Sequence, residues 1–151
     1  MKETKRRHAD YMALALAQAE LAGAAGDVPV GCVIVREGVV IAAGHNTREA
    51  DHTALGHAEL SAIAAACRVV GNWRLSGCTL YVTLEPCLMC MGAILNARLD
   101  RVVFGAPDYR AGYCGSLAHP EWEGPTPEIL GGILEEECTG LLKRFFEARR
   151  K

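Results

Sequence analysis

The order of elements along this chain predicts an α/β fold built on a mixed sheet. Two observations carry that prediction. The middle of the 151-residue sequence alternates short apolar strands with helical segments, which implies parallel pairing through right-handed crossovers. Ahead of them, two runs rich in β-branched residues are separated only by Glu37-Gly38, which reads as a hairpin and adds an antiparallel pair.

The elements follow in order. A first helix is expected from about His8 to Ala24, where Tyr11, Met12, Leu14, Leu16 and Leu21 recur among alanines, and Gly26-Asp27 ends it. Strands are expected over 28–36 and from Val39 to about Asn46, then a polar loop over 45–56. Leu60, Ile63 and Cys67 keep helical spacing within a helix over 57–70. The run 78–84 is apolar enough for a strand buried on both faces. Pro86 opens the next helix, which runs to about Ala97, since the first-turn N–H that proline lacks has no partner anyway. A strand over 100–106 precedes a long loop rich in glycine and proline. A short strand at Glu128–Leu130 and a last helix over 134–149 complete the order.

Half of the residues are hydrophobic, under a quarter are charged, and the net charge is −2, values of an ordinary globular chain. With a pI near 6.2, composition alone does not announce a nucleic-acid binder. The basic residues gather at the two ends and acidic ones in the "PEWEGPTPE" and "EEE" runs. No apolar run approaches the ~20 residues that span a membrane, and the N-terminus lacks the apolar core of a signal peptide. A single domain over 1–151, cytoplasmic and free of membrane contact, is the expectation. The seven cysteines, an odd number set mostly among apolar neighbours, read as thiols of a reducing compartment. Cys32, Cys67, Cys78 and Cys138 are expected in the core.

The chemistry concentrates in "TLEPCLMCMGAIL", residues 83–95. Cys87 and Cys90 stand three apart at a helix start, where the helix dipole favours thiolates. A catalytic zinc site with two thiolates needs a third protein ligand and one open position. Among His8, His45, His52, His57 and His119, only His57 opens a helix whose following strand leads to Cys87. Side by side, two such units bring both helix N-termini to one end of the sheet. Glu59, two residues beyond His57, faces away from the ligand direction and suits a proton carrier beside the metal. Zinc would supply an activated water for attack on an aromatic carbon bearing an amine. A redox dithiol, and a non-catalytic zinc-stabilised RNA-binding subunit, are the readings from other classes. Trp73 and Trp122 could stack on a base or serve packing.

"HAE" followed by "PCLMC" resembles the H-x-E…P-C-x-x-C signature of the zinc-dependent cytidine/adenosine deaminase superfamily. "DVPVGCVIV", "GHN", "TLYVTLEPCLMCMGAI", "RVVFGAPD" and "GSL" sharpen the likeness to the tRNA adenosine deaminases that make inosine at the anticodon wobble position. The resemblance runs from about residue 8 to 149. It implies a three-layer α/β/α cytidine-deaminase-like fold with a mixed five-stranded sheet, and one Zn2+ per subunit on His57, Cys87 and Cys90. It implies Glu59 as catalytic proton shuttle, Asn46 on the flipped base, and Asp108 near the sugar. It also implies a homodimer whose partner is a tRNA anticodon stem-loop, with the C-terminal helix, carrying Lys143, Arg144, Arg149, Arg150 and Lys151, near the RNA backbone. Two segments depart from the family pattern. "DHTALGHAE" replaces a D-P-T-A-H-A-E run, and "AHPEWEGPTPEILGGIL" is acidic and proline-rich where many tRNA-acting members carry His, Asn and Arg. The second departure motivates the alternative, a deaminase of a free nucleobase or nucleoside such as guanine, cytosine or a modified purine.

Overall fold

The computed structural model describes residues 2–149. Its first helix, α1 (Lys2–Ala24), begins six residues before the expected start, because the charged residues ahead of His8 are themselves good helix formers. Strands β1 (Gly31–Arg36) and β2 (Val39–His45) form the expected hairpin. Both turn residues, Glu37 and Gly38, have positive φ of 50° and 78°, as a two-residue connection between twisted strands requires. β1 starts three residues later than expected, since Pro29 has no N–H to give a ladder. Then come α2 (Ala58–Val70), β3 (Cys78–Leu84), α3 (Leu88–Ala97), β4 (Arg101–Ala106), β5 (Glu128–Leu130) and α4 (Glu135–Arg149).

The five strands lie in the order β2-β1-β3-β4-β5. β1 is antiparallel to both β2 and β3, while β3, β4 and β5 run parallel. The sheet is mixed, as the alternation implied.

Helices cover both faces, and the strand period of two sorts the core between them. On one face Cys32, Ile34, Leu80, Val82, Val102 and Phe104 pack with Ala62 and Ile63 of α2 and Met91 and Ile94 of α3. On the other face Val33, Val35, Tyr81 and Val103 pack with Met12 and Ala15 of α1 and Cys138 of α4. The architecture is the three-layer α/β/α arrangement.

Two glycines set how closely the helices approach. A Cβ on Gly31 would lie 2.0 Å from the Ala15 carbonyl oxygen and 2.3 Å from the Ala19 nitrogen. A Cβ on Gly44 would lie 2.6 Å from the Ala58 carbonyl oxygen. Backbone rests on backbone at both points, which the alanine stripes of α1 and α2 permit. β2 and β3 both run antiparallel to β1, so the helices that follow them, α2 and α3, start at the same end of the sheet, and that end carries the site. All seven cysteines are free; Cys32, Cys78 and Cys138 are buried, and Cys67 is partly exposed. No helix among the described residues is long and apolar enough to cross a membrane. Arg150 and Lys151 of the anticipated basic cluster lie outside the described residues.

Candidate metal centre

His57 and Cys87 are the N-caps of α2 and α3, both in extended backbone conformation and neither capping its helix with its side chain. α3 thus begins at Leu88 rather than at Pro86. Extended ψ at Cys87 (179°) holds Pro86 outside the helix and leaves the Cys87 side chain free for another task. Cys90, in the first turn of α3, is buried.

These three side chains converge. His57 Nδ1 lies 3.6 Å from Cys87 Sγ and 3.5 Å from Cys90 Sγ, and the three donor atoms all fall within 4.8 Å of one another. Nitrogen and sulfur ligands on one tetrahedral zinc stand about 3.6 Å apart, given bonds of about 2.0–2.1 and 2.3 Å. The spacing and the donor set both fit zinc with one position left open. The thiols already share protons unevenly. The Cys90 thiol, with help from His57, holds Cys87 down to about 4 against its burial. Cys90 is pushed up in turn, by Cys87 and by burial. Metal binding replaces the shared protons.

Glu59 is only 4% exposed, and burial pushes its carboxyl up to about 7. It opens, with His57 and Cys87, onto a cavity of about 350 Å³ that Asn46 and Asp108 also line. Of the six residues singled out in the sequence, five meet at this cavity, and Cys90 lies buried behind His57 and Cys87.

Asn46 is held in one orientation. Its Nδ2 donates to the Val28 carbonyl (3.1 Å), and its Oδ1 accepts from the Arg48 N–H (3.0 Å). One N–H and one lone pair remain free for a ligand. Asp108 Oδ1 accepts from the N–H groups of Arg110 (3.0 Å) and Ala111 (3.1 Å).

The cavity also contains residues that the sequence did not place at the site. Asp27, 1% exposed, accepts from the N–H groups of Glu49 (2.7 Å) and Ala50 (3.2 Å) and so ties down the loop after β2. Gly56 lets that loop close, since a Cβ there would lie 2.7 Å from the Arg48 nitrogen. Glu85 sits between β3 and the metal turn. Burial alone would raise its carboxyl, but hydrogen bonds from Ser116, Asp108 and Cys114 outweigh it and hold the group below the ordinary carboxylate value. From the far end of the chain, Phe145, Phe146 and Arg149 of α4 complete the wall. Arg149 stacks on Phe145 and donates to the Gly26 carbonyl. The local signals for these were the glutamate inside "TLEPC" and the basic C-terminal run that includes Arg149.

The tryptophans are elsewhere. Arg98 lies between them, 5.8 Å from the Trp73 ring and 5.4 Å from the Trp122 ring, and neither lines the cavity. Cys114 turns away as well, with its Sγ 3.5 Å from Met91 Sδ.

Residues 5–106 match the family model of the cytidine and deoxycytidylate deaminase zinc-binding region. The chain is 46% identical over 144 residues to a tRNA-specific adenosine deaminase of Bacillus subtilis (strain 168), covering 93% of this chain and 89% of that protein. A solved structure from work on A-to-I editing by tRNA:A34 deaminases at the wobble position is 36% identical, with a TM-score of 0.78, covering 87% of this chain and 98% of that one. The guanine deaminase of Nitrosomonas europaea, 23% identical with a TM-score of 0.79 over 91% of this chain and 83% of that one, shares the fold.

Proposed function

This chain belongs to the cytidine and deoxycytidylate deaminase zinc-binding family, and on that footing we propose how it works as a zinc-dependent hydrolase that deaminates the wobble adenosine of a tRNA anticodon to inosine. The observation that carries the chemistry is the His57, Cys87, Cys90 donor set beside a buried carboxyl at the wall of one cavity. The substrate comes from the likeness to tRNA-specific adenosine deaminases over nearly the whole chain.

His57, Cys87 and Cys90 are the ligands in this reading. Zinc held there would supply a water acidified enough to attack at neutral pH. Glu59 takes one proton of the attacking water and passes it to the ring nitrogen next to the reacting carbon, then takes the second proton, from the new hydroxyl, and gives it to the departing amine. Water adds at the carbon that carried the amine, ammonia leaves, and a carbonyl remains. Asn46 presents its free N–H and lone pair to the edge of the base. Asp108 stands by the ribose. The cavity suits one flipped base, and extruding a loop nucleotide costs little because it is already partly unstacked.

The reading extends to a single deaminase domain over 1–151 that acts as a homodimer in the cytoplasm. Seven free thiols support a reducing compartment. Leu55, Leu88, Tyr109 and Leu117 are all well exposed on segments that border the metal centre, and such apolar rims mark protein contacts.

A side-by-side assay of an anticodon stem-loop carrying a wobble adenosine against free guanine, cytosine and adenosine tests the substrate. Turnover of the stem-loop is expected. Turnover of a free base with none of the stem-loop would replace this reading by the free-nucleobase one that the acidic, proline-rich 118–134 stretch motivates.

A further inference from the structure

Asp108 reaches the cavity on an irregular segment, the 107–118 loop that leaves the end of β4. The loop has no helix or strand of its own; Cys114 touches Met91 of α3, but the loop backbone is held by Glu85. It follows the last residue of β3, and its own N–H donates to the Ala106 carbonyl at the end of β4 (2.9 Å). The two strand ends are therefore joined at the point where the loop departs.

The Glu85 carboxylate then gathers the loop around itself. Its Oε1 accepts from the Asp108 N–H (3.0 Å), and its Oε2 accepts from the N–H groups of Cys114 (2.9 Å) and Ser116 (3.1 Å). The loop backbone comes so close that a Cβ on Gly112 would lie 2.4 Å from Glu85 Cδ. Next door, the Tyr113 N–H donates to the Pro86 carbonyl (2.8 Å). The group is 2% exposed, and three of its roughly four acceptor sites are used by backbone. Most of the carboxylate's acceptor capacity is therefore spent on holding the loop backbone. Only one residue, Pro86, separates Glu85 from Cys87.

We infer that Glu85 is a positioning residue: it fixes the loop that carries Asp108 at a set distance from the metal turn, so that the sugar end and the reacting end of the substrate are registered against each other. This rests on the deaminase reading. Catalysis is sensitive to such registration because small misplacement of a substrate is costly in rate.

Glu85→Gln tests it with little change of size. An amide must turn its NH2 toward at least one of the three N–H donors, so at least one bond is lost. The measurements are zinc content, kcat and KM on the stem-loop, and amide hydrogen exchange, made on wild type, Glu85→Gln, Asp108→Ala and the double variant. Gly112→Ala disturbs the same contact from the loop side. Both Glu85→Gln and Gly112→Ala are expected to keep full zinc and to lose about 10–100-fold in kcat/KM, mostly through kcat. Groups that act as one unit are not additive, so the double variant is expected within about threefold of the worse single variant. Additive losses, an unchanged kcat/KM, or a loss of zinc that accounts for the lost activity would each overturn the inference. If the wild-type protein converts no stem-loop, the deaminase reading fails on its own, and exchange decides the positioning claim. Selective loss of protection at Asp108, Cys114 and Ser116 in Glu85→Gln would support it, and unchanged protection would overturn it.

Discussion

Cys87 and Cys90 share a task but not a surrounding: Cys87 faces the cavity as the N-cap of α3, while Cys90 is buried one turn on. Replacing either by alanine leaves two donors, too few for a zinc site of three protein ligands. The expected result is zinc content well below one per chain and activity at background, read by metal analysis of the purified protein; full zinc in either variant would contradict the ligand set. A second residue-scale expectation concerns His8, on the other face of the sheet. Its Nδ1 is 2.7 Å from the Tyr81 hydroxyl, in contact with Tyr11 through Tyr81. Burial and the charge of Arg101 lower its pKa from the ordinary 6.5, with Glu128 opposing, and burial raises the Tyr81 phenol to about 12. The unfolded chain then binds the proton more readily, so the stability from neutral His8 is present above about pH 6.5 and is lost as pH falls through that value. Unfolding by denaturant at pH 8 and pH 5 is expected to show a smaller loss on acidification in His8→Asn than in wild type. An equal loss in both would contradict it.

At the scale of elements, α1 approaches β1 more closely at Gly31 than any element approaches another described glycine. Gly31→Ala is expected to cost about 1–3 kcal/mol by overpacking, lowering Tm by roughly 2–12 °C, because Ala15 and Ala19 can yield only if the helix moves. An unchanged Tm would show that α1 rides more loosely than Gly31 implies. The elements themselves were legible in the sequence to within a few residues, because period-two and helical patterns are local. Their starts were less so. Whether a helix begins at Pro86 or Leu88 depends on the ψ of Cys87, which follows from where its sulfur must point. The candidate site divides in the same way. His57, Glu59, Cys87 and Cys90 were legible from spacing and from their places at helix starts, and Asn46 and Asp108 from the family resemblance. Asp27 and Glu85 were not, and Arg149 was legible only as one of a basic cluster near the RNA backbone, not as a wall of the cavity. Their partners lie 22, 23–31 and 123 residues away, and no local pattern marks an acid that will end up accepting backbone N–H groups of another loop.

For the molecule as a whole, one end of a mixed sheet carries the candidate metal centre and its cavity, and α4 returns from the far end of the chain to wall that cavity. In the proposed homodimer, the exposed leucines and tyrosine around that end meet the second subunit. Sedimentation is expected to show twice the 16.2 kDa chain mass. Leu88→Asp is expected to raise the dimer dissociation constant by at least about tenfold, and a wild-type monomer at micromolar concentration would contradict the dimer. The central claim is that a zinc on His57, Cys87 and Cys90 works with Glu59 to deaminate a wobble adenosine. The most direct measurement is inosine formation in a synthetic anticodon stem-loop, comparing wild type with Glu59→Ala, both loaded with zinc. The account expects conversion by the wild type and a fall of about 10²–10⁴-fold in Glu59→Ala with zinc content unchanged. Equal conversion by both proteins, or none by the zinc-loaded wild type, would contradict it.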